Sequence, residues 1–138
     1  MRTPLICLAN SWKGGNRCIA GISPDTGKWI RPCYGDGTQG IPEDVRFVNG
    51  REPRLLDILF IPVGDSGPNA NIQPENRSII AGPWPQMGAV AAADLAPYCE
   101  ESPHLLFSDR DRLHVDDVRA LPRAQRKSLA LVRVHTTF

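Results

Sequence analysis

Six side chains within the first 31 residues have types and spacing suited to binding chemistry: Trp12, Lys13, Arg17, Lys28, Trp29 and Arg31. In Lys28-Trp29-Ile30-Arg31 the two-residue period of an extended strand sets Trp29 and Arg31 on one face, Lys28 and Ile30 on the other. A flat indole beside a guanidinium suits an unstacked base and the phosphate behind it, and stacking of this kind contributes roughly 1–3 kcal/mol per base. The same pattern also fits a tryptophan that plugs a core beside an arginine paired with an acid, since tryptophans are well buried on average. In Asn10-Ser11-Trp12-Lys13-Gly14-Gly15-Asn16-Arg17, amide, hydroxyl and cationic donors surround a Gly-Gly step whose backbone can approach a phosphate closely. The order is not the GxxxxGK[ST] of a P-loop. A solvated hairpin tip, with Trp12 folded over the end of the sheet, fits the same residues.

Other polar clusters point to less. Gln73-Pro74-Glu75-Asn76-Arg77 carries amides that can read a base edge and equally can complete a turn. Asp109 to Asp117 alternates in sign, the pattern of a salt-bridged solvated face in which Asp116 or Asp117 caps a short helix, and no metal centre is expected from it. His104, His114 and His135 are scattered and fall in no nucleophile elbow or HExxH arrangement, so no catalytic residue and no cofactor are nominated. Cys7, Cys18, Cys33 and Cys99 form no CxxC pair and read as buried free thiols.

Charge is segregated along the chain. Residues 1–35 hold five basic side chains against Asp25 alone, and residues 118–138 hold five, among them Arg133, with no acid. Residues 36–117 hold six basic and fourteen acidic side chains. A fold that joins the two ends makes one positive face opposite an acidic flank.

The elements that must position these groups are short, because thirteen prolines and twelve glycines punctuate the chain. The pattern predicts strands over Thr3 to Ala9, Arg17 to Ser23 and Lys28 to Arg31, the last two joined by the turn Pro24-Asp25-Thr26-Gly27. One helical turn is expected near Glu43 to Val48. Leu55 to Val63 should be a core strand, apolar apart from Asp57 and ending near Pro62. Gly88 to Tyr98 reads as helical, Val115 to Leu121 as a short helix and Ser128 to Val134 as a closing strand. The expected fold is mainly β with short helices, a small OB-like five-stranded Greek-key barrel with helical excursions, forming one domain over residues 1–138. In such a barrel the last strand lies beside the third, bringing Arg133 near Lys28 and Arg31. With no signal-peptide or membrane-span pattern, a soluble cytoplasmic protein without a membrane partner is expected.

The strings CLANSWKGGNRCIAG, GKWIRP, LLDILFIPV and QPEN, within residues 6–76, resemble the opening half of the dual OB-containing domain of poorly characterised prokaryotic proteins. The resemblance implies two consecutive OB-like barrels, of which this chain would supply the first, and a nucleic-acid role. By motif position it nominates Asn10, Ser11, Lys13, Arg17, Trp29 and Arg31 together with Gln73, Glu75 and Asn76. The functional expectation is therefore a module that binds single-stranded DNA or RNA through Asn10, Ser11, Lys13, Arg17, Trp29, Arg31, Gln73, Asn76 and Arg133. The alternative is a protein–protein interaction barrel whose basic face meets an acidic partner or a second copy in a homo-oligomer. A weaker one is an enzyme using the Gln73–Arg77 loop on a small ligand.

Overall fold

The computed structural model describes residues 2–100 and 114–133. Strand β1 (Arg2–Lys13) turns back into β2 (Asn16–Ile22) through Gly14 and Gly15, both with positive φ (57° and 81°) as a two-residue primed hairpin turn requires. Next in the chain are β3 (Trp29–Cys33), the one-turn helix α1 (Glu43–Arg46), β4 (Asp57–Pro62), β5 (Asn76–Ser78) and β6 (Gln86–Ala89). A 3-10 segment over Ala92–Tyr98, helix α2 (Val115–Ala120) and a 3-10 turn over Arg123–Gln125 complete the described elements. None of these helices is long and apolar enough to cross a membrane.

The strands form one six-stranded mixed sheet in the order β5-β3-β2-β1-β4-β6. It is not closed into a barrel, so the expected five-stranded Greek-key closure is replaced by an open sheet. The reason lies beside β3. Its outer neighbour is β5, paired in parallel with Arg31 opposite Asn76, Pro32 opposite Arg77 and Cys33 opposite Ser78. Pro32 has no N–H to contribute, and donors on either side close the ladder: Arg31 N–H to the Glu75 carbonyl at 2.8 Å and Ile79 N–H to the Cys33 carbonyl at 2.9 Å. The position expected for the last strand is thus filled by a three-residue strand from mid-chain. Of the predicted Ser128 to Val134 strand, residues 128–133 are irregular and Val134 lies outside the described residues. The alanine-rich stretch from Gly88 divides between β6 and the 3-10 segment instead of making one helix.

Leu5, Ile6 and Cys7 are buried in succession, so β1 is covered on both faces as a central strand must be. On one face Leu5, Cys7, Ile19, Ile30, Leu59 and Ile61 pack with Ile41, Val48 and Trp84 into the core. The glycine of the RCIAG string is required by this arrangement: a Cβ on Gly21 would collide with the Ile6 carbonyl. Asp57, the one polar residue in an otherwise apolar strand, is buried and accepts from Arg51 Nη1 (3.2 Å), the Arg54 amide (2.9 Å) and Gln86 Nε2 (3.0 Å), tying β4 to β6.

A second polar knot lies under the β1 end of the hairpin. Arg46, 3 % exposed, donates through Nε to both Glu52 oxygens (2.8 and 2.9 Å) and through Nη1 to the Ile41 carbonyl (2.7 Å), while Asn10 Nδ2 donates to Glu52 at 2.8 Å. Burial pushes the Glu52 carboxyl up, but the bonds from Arg46 and Asn10 outweigh it and hold the group below its ordinary value. A depressed carboxyl contributes stability above its unfolded-state pKa, about 4.3, and loses that contribution as pH falls through the lower folded value. Glu52→Gln should therefore flatten the acid limb of the urea-unfolding profile below about pH 5; an acid limb identical to that of the parent would show that Glu52 carries none of it.

Candidate nucleic-acid interface

The strand alternation around Trp29 holds. Ile30 enters the core at 8 % exposure, whereas Trp29 and Arg31 face away from it and are half-buried. Trp29 therefore does not plug the core. It lines a groove of about 410 Å³ whose other walls are Lys28, Arg77, Tyr98, Arg123, Arg126 and Lys127, with Pro74 and Leu129 among the apolar contacts. Two aromatic rings and five cationic side chains, drawn from both ends of the chain and from β5, share this concavity with the carboxylates of Glu75 and Glu100.

Both acids are committed within the fold. Glu75, 7 % exposed, accepts from the Ser128 amide and hydroxyl (3.0 Å for the latter) and from the Leu129 amide at 3.3 Å. Glu100 pairs with Lys127, and its amide donates to the Leu131 carbonyl at 2.7 Å. Arg126 is equally structural, donating to the carbonyls of Leu121, Asn71 and Arg119 at 3.0, 2.7 and 2.9 Å. Arg77 donates to the Asp65 carbonyl at 2.7 Å. Among the described residues, the side chains of Lys28 and Arg123 have no hydrogen-bond or ion-pair partner, so their charge is available to a ligand.

The nominated residues do not converge on one place. Asn76, 4 % exposed, donates to the Pro68 carbonyl (2.6 Å) and Gln73 Oε1 (3.1 Å) and accepts from Arg31 Nη1 (2.9 Å). Both of its amide hydrogens are used. Arg31 also donates to Ser128 Oγ at 3.1 Å. Gln73, Glu75, Asn76 and Arg31 thus act as a staple that binds β3, β5 and the 126–131 segment together behind the groove. The C-terminal segment does come beside β3, but Ser128 makes the contact, while Arg133 is exposed and outside the strands.

Asn10 is bound to Glu52 and to the Pro53 carbonyl (2.9 Å). Ser11, Lys13 and Arg17 sit at the other end of β2, about five residues or roughly 17 Å of extended strand from Ile22, the register partner of Trp29. There Arg17 stacks on Trp12, its Cζ 3.9 Å from the ring centroid, and Lys13 donates to the Gly37 carbonyl at 2.7 Å. Trp12 is 69 % exposed and does not fold over the sheet. Helix α2 begins with a capping box in which His114 holds the N-cap position and accepts from the Asp116 amide, while the Asp117 carboxylate accepts from the His114 amide. Residues 109–113, His104 and His135 lie outside the described residues. Among the described residues no cluster of His, Cys, Asp and Glu could hold a metal ion.

The dual OB-containing domain matches residues 3–138. The chain belongs to this family. The match runs through the C-terminal half as well as the motif-bearing residues 6–76, so it spans the stretches that carry the groove-lining residues Tyr98, Arg123 and Lys127. No curated protein and no solved structure matches it. Tyr98 and Arg123 were missed by motif reasoning because neither stands in a patterned string; the C-terminal cluster of five basic residues was the only signal.

The staple makes a direct expectation. Replacing Glu75 by alanine removes an ionised acceptor whose bonds are worth about 1.5–3 kcal/mol, so the Ser128 and Leu129 amides should exchange with deuterium tenfold faster or more, with β1 and β4 amides unchanged. Equal protection at residues 128 and 129 in the variant would show that the segment is held by other contacts.

Proposed function

We propose that this dual OB-containing domain is a nucleic-acid-binding module that takes single strands in the groove between Trp29 and Tyr98. The observation that carries the reading is the groove itself, where two aromatic rings stand beside the uncommitted cations Lys28 and Arg123 in a concavity of about 410 Å³. Bases stack on such rings whatever their identity, and cations in the same walls meet the phosphates. The open geometry favours unpaired strands, since a paired base would have to leave its stack to reach Trp29. Family membership supports a nucleic-acid or similar binding role without naming a ligand.

The resulting contact set differs from the motif-based one. Trp29 remains at its centre, with Lys28, Tyr98, Arg123, Arg77 and Lys127 around it. Arg31, Gln73 and Asn76 shape the site from behind, and the Trp12–Arg17 stack with Lys13 and Ser11 is a separate cationic-aromatic surface at the hairpin tip.

Fluorescence anisotropy with labelled single-stranded and duplex oligonucleotides over a salt series tests this. Trp29→Ala and Tyr98→Ala should each weaken single-strand binding by roughly 1–3 kcal/mol. Lys28→Ala and Arg123→Ala should each lower the slope of log K against log salt by about 0.7, the value per neutralised phosphate on a single strand. Absence of binding at low salt, or binding indifferent to all four substitutions, removes the proposal and leaves the protein–protein reading, for which light scattering would then show a concentration-dependent assembly.

A further inference from the structure

The four cysteines are unequal. Cys7 is fully buried, and burial, reinforced by Asp57, pushes its thiol up to about 12, which leaves it inert near neutral pH. Cys99 is half-buried and donates to the Leu95 carbonyl. Cys18 and Cys33, in contrast, line one narrow cleft of about 10 Å³ between β2 and β3, together with Lys13, Arg17 and Arg31.

Strand direction aims the two cysteines at one cleft. β2 and β3 pair antiparallel with Gly21 opposite Ile30 and Ile22 opposite Trp29. Continued three residues along each strand, that register sets Cys18 opposite Cys33, on the same face as Trp29 and Arg31. The ladder gives way before that point: Arg17 bridges to Ile41 instead of to β3, and residues 37 and 39–41 line the cleft together with the two cysteines. A disulfide accepts Cα atoms about 4.4–6.8 Å apart, so closing one here would extend across the gap the spacing that the paired residues Gly21 and Ile30 have in the ladder. The thiols also feel each other: burial raises the Cys33 thiol most, Arg31 lowers it, and Cys18 adds a further upward push.

We propose that Cys18 and Cys33 form a peroxide-reactive dithiol that closes to a disulfide across β2 and β3. Cys18, the more exposed of the two, reacts first. Its thiolate attacks one oxygen of hydrogen peroxide, the O–O bond breaks, and the departing hydroxide takes up a proton to leave as water. The Cys33 sulfur then attacks the Cys18 sulfenic acid; the S–S bond forms, the S–O bond breaks, and the hydroxide leaves as a second water carrying the Cys33 proton. Two thiols lose two electrons in all, and the peroxide is reduced to two waters. The bond joins the strand carrying Trp29 to the hairpin strand, so it fixes β3 two residues from Arg31 and the staple. The inference is independent of whether the groove binds nucleic acid.

The test uses the full chain, reduced and then exposed to hydrogen peroxide, alkylated, and digested with trypsin without reductant. Mass spectrometry should find residues 18–28 linked to residues 29–46, reversed by dithiothreitol, while Cys7 and Cys99 stay alkylated. In Cys33→Ser, whose fold is checked by circular dichroism, a dimedone adduct should collect on Cys18; Cys18→Ser should yield no linked peptide. Over-oxidation of Cys18 with Cys33 still alkylated in the parent chain, a linkage involving Cys99, or full alkylation of both thiols would each overturn the proposal.

Discussion

Asn76 sits almost without solvent where three stretches of chain must meet, and its amide fits all of them: Arg31 from β3, Pro68 from the preceding loop and Gln73 from its own turn. An unpartnered amide at such a depth would be destabilising by several kcal/mol, so the three partners cannot be separated cheaply. Next to it Glu75 receives the Ser128 and Leu129 amides. These two residues convert an open edge of β3 into one wall of a groove, since β5 supplies Arg77 and the 126–131 segment supplies Lys127 to it. Arg31, Gln73 and Asn76, nominated as ligand contacts from their motifs, are engaged with one another in the frame of the groove.

That distinction explains which parts were legible in the sequence. Strand content was readable because alternation and turn chemistry are local: Pro24 to Gly27 marks a turn, the Gly14-Gly15 step another, and the apolar run around Leu59 a core strand. The small α1 turn and α2 were also close to their expected places. Closure into a barrel was not readable, because the neighbour of β3 is decided by Asn76–Ser78, three polar residues with no strand period, held by side-chain bonds across a separation of 45 residues. The 3-10 segment defeats its alanine-rich composition in the same way: β6 takes Gly88 and Ala89 into the sheet beside Asp57, and Pro97 interrupts the remainder.

At the site, residue types were legible and their roles were not. Trp29 was identifiable from the strand period, and the structure gives it the outward orientation that the period predicts. Arg31 has the same orientation, yet its guanidinium is used by Asn76 and Ser128. Nothing in the order of letters separates an arginine waiting for a phosphate from one occupied by an amide and a hydroxyl; that depends on partners 45 and 97 residues away. The charge segregation asked only that both ends of the chain reach one surface, and Lys28, Arg123, Arg126 and Lys127 do line one groove.

The long reach of the staple has a consequence for how the protein comes into being. The hairpin of β1 and β2 closes over two residues, and β4 joins it once the first 62 residues exist. The groove has no such early form: its wall at 123–129 lies more than 60 residues beyond β4, and the bond from Arg31 to Ser128 spans 97 residues. Contacts of that separation form late, after the loop entropy has already been overcome by the local strands. A nascent chain that has emerged only as far as Pro62 can therefore pair β1, β2 and β4 while lacking the groove altogether, which forms only after residues 123–129 have emerged.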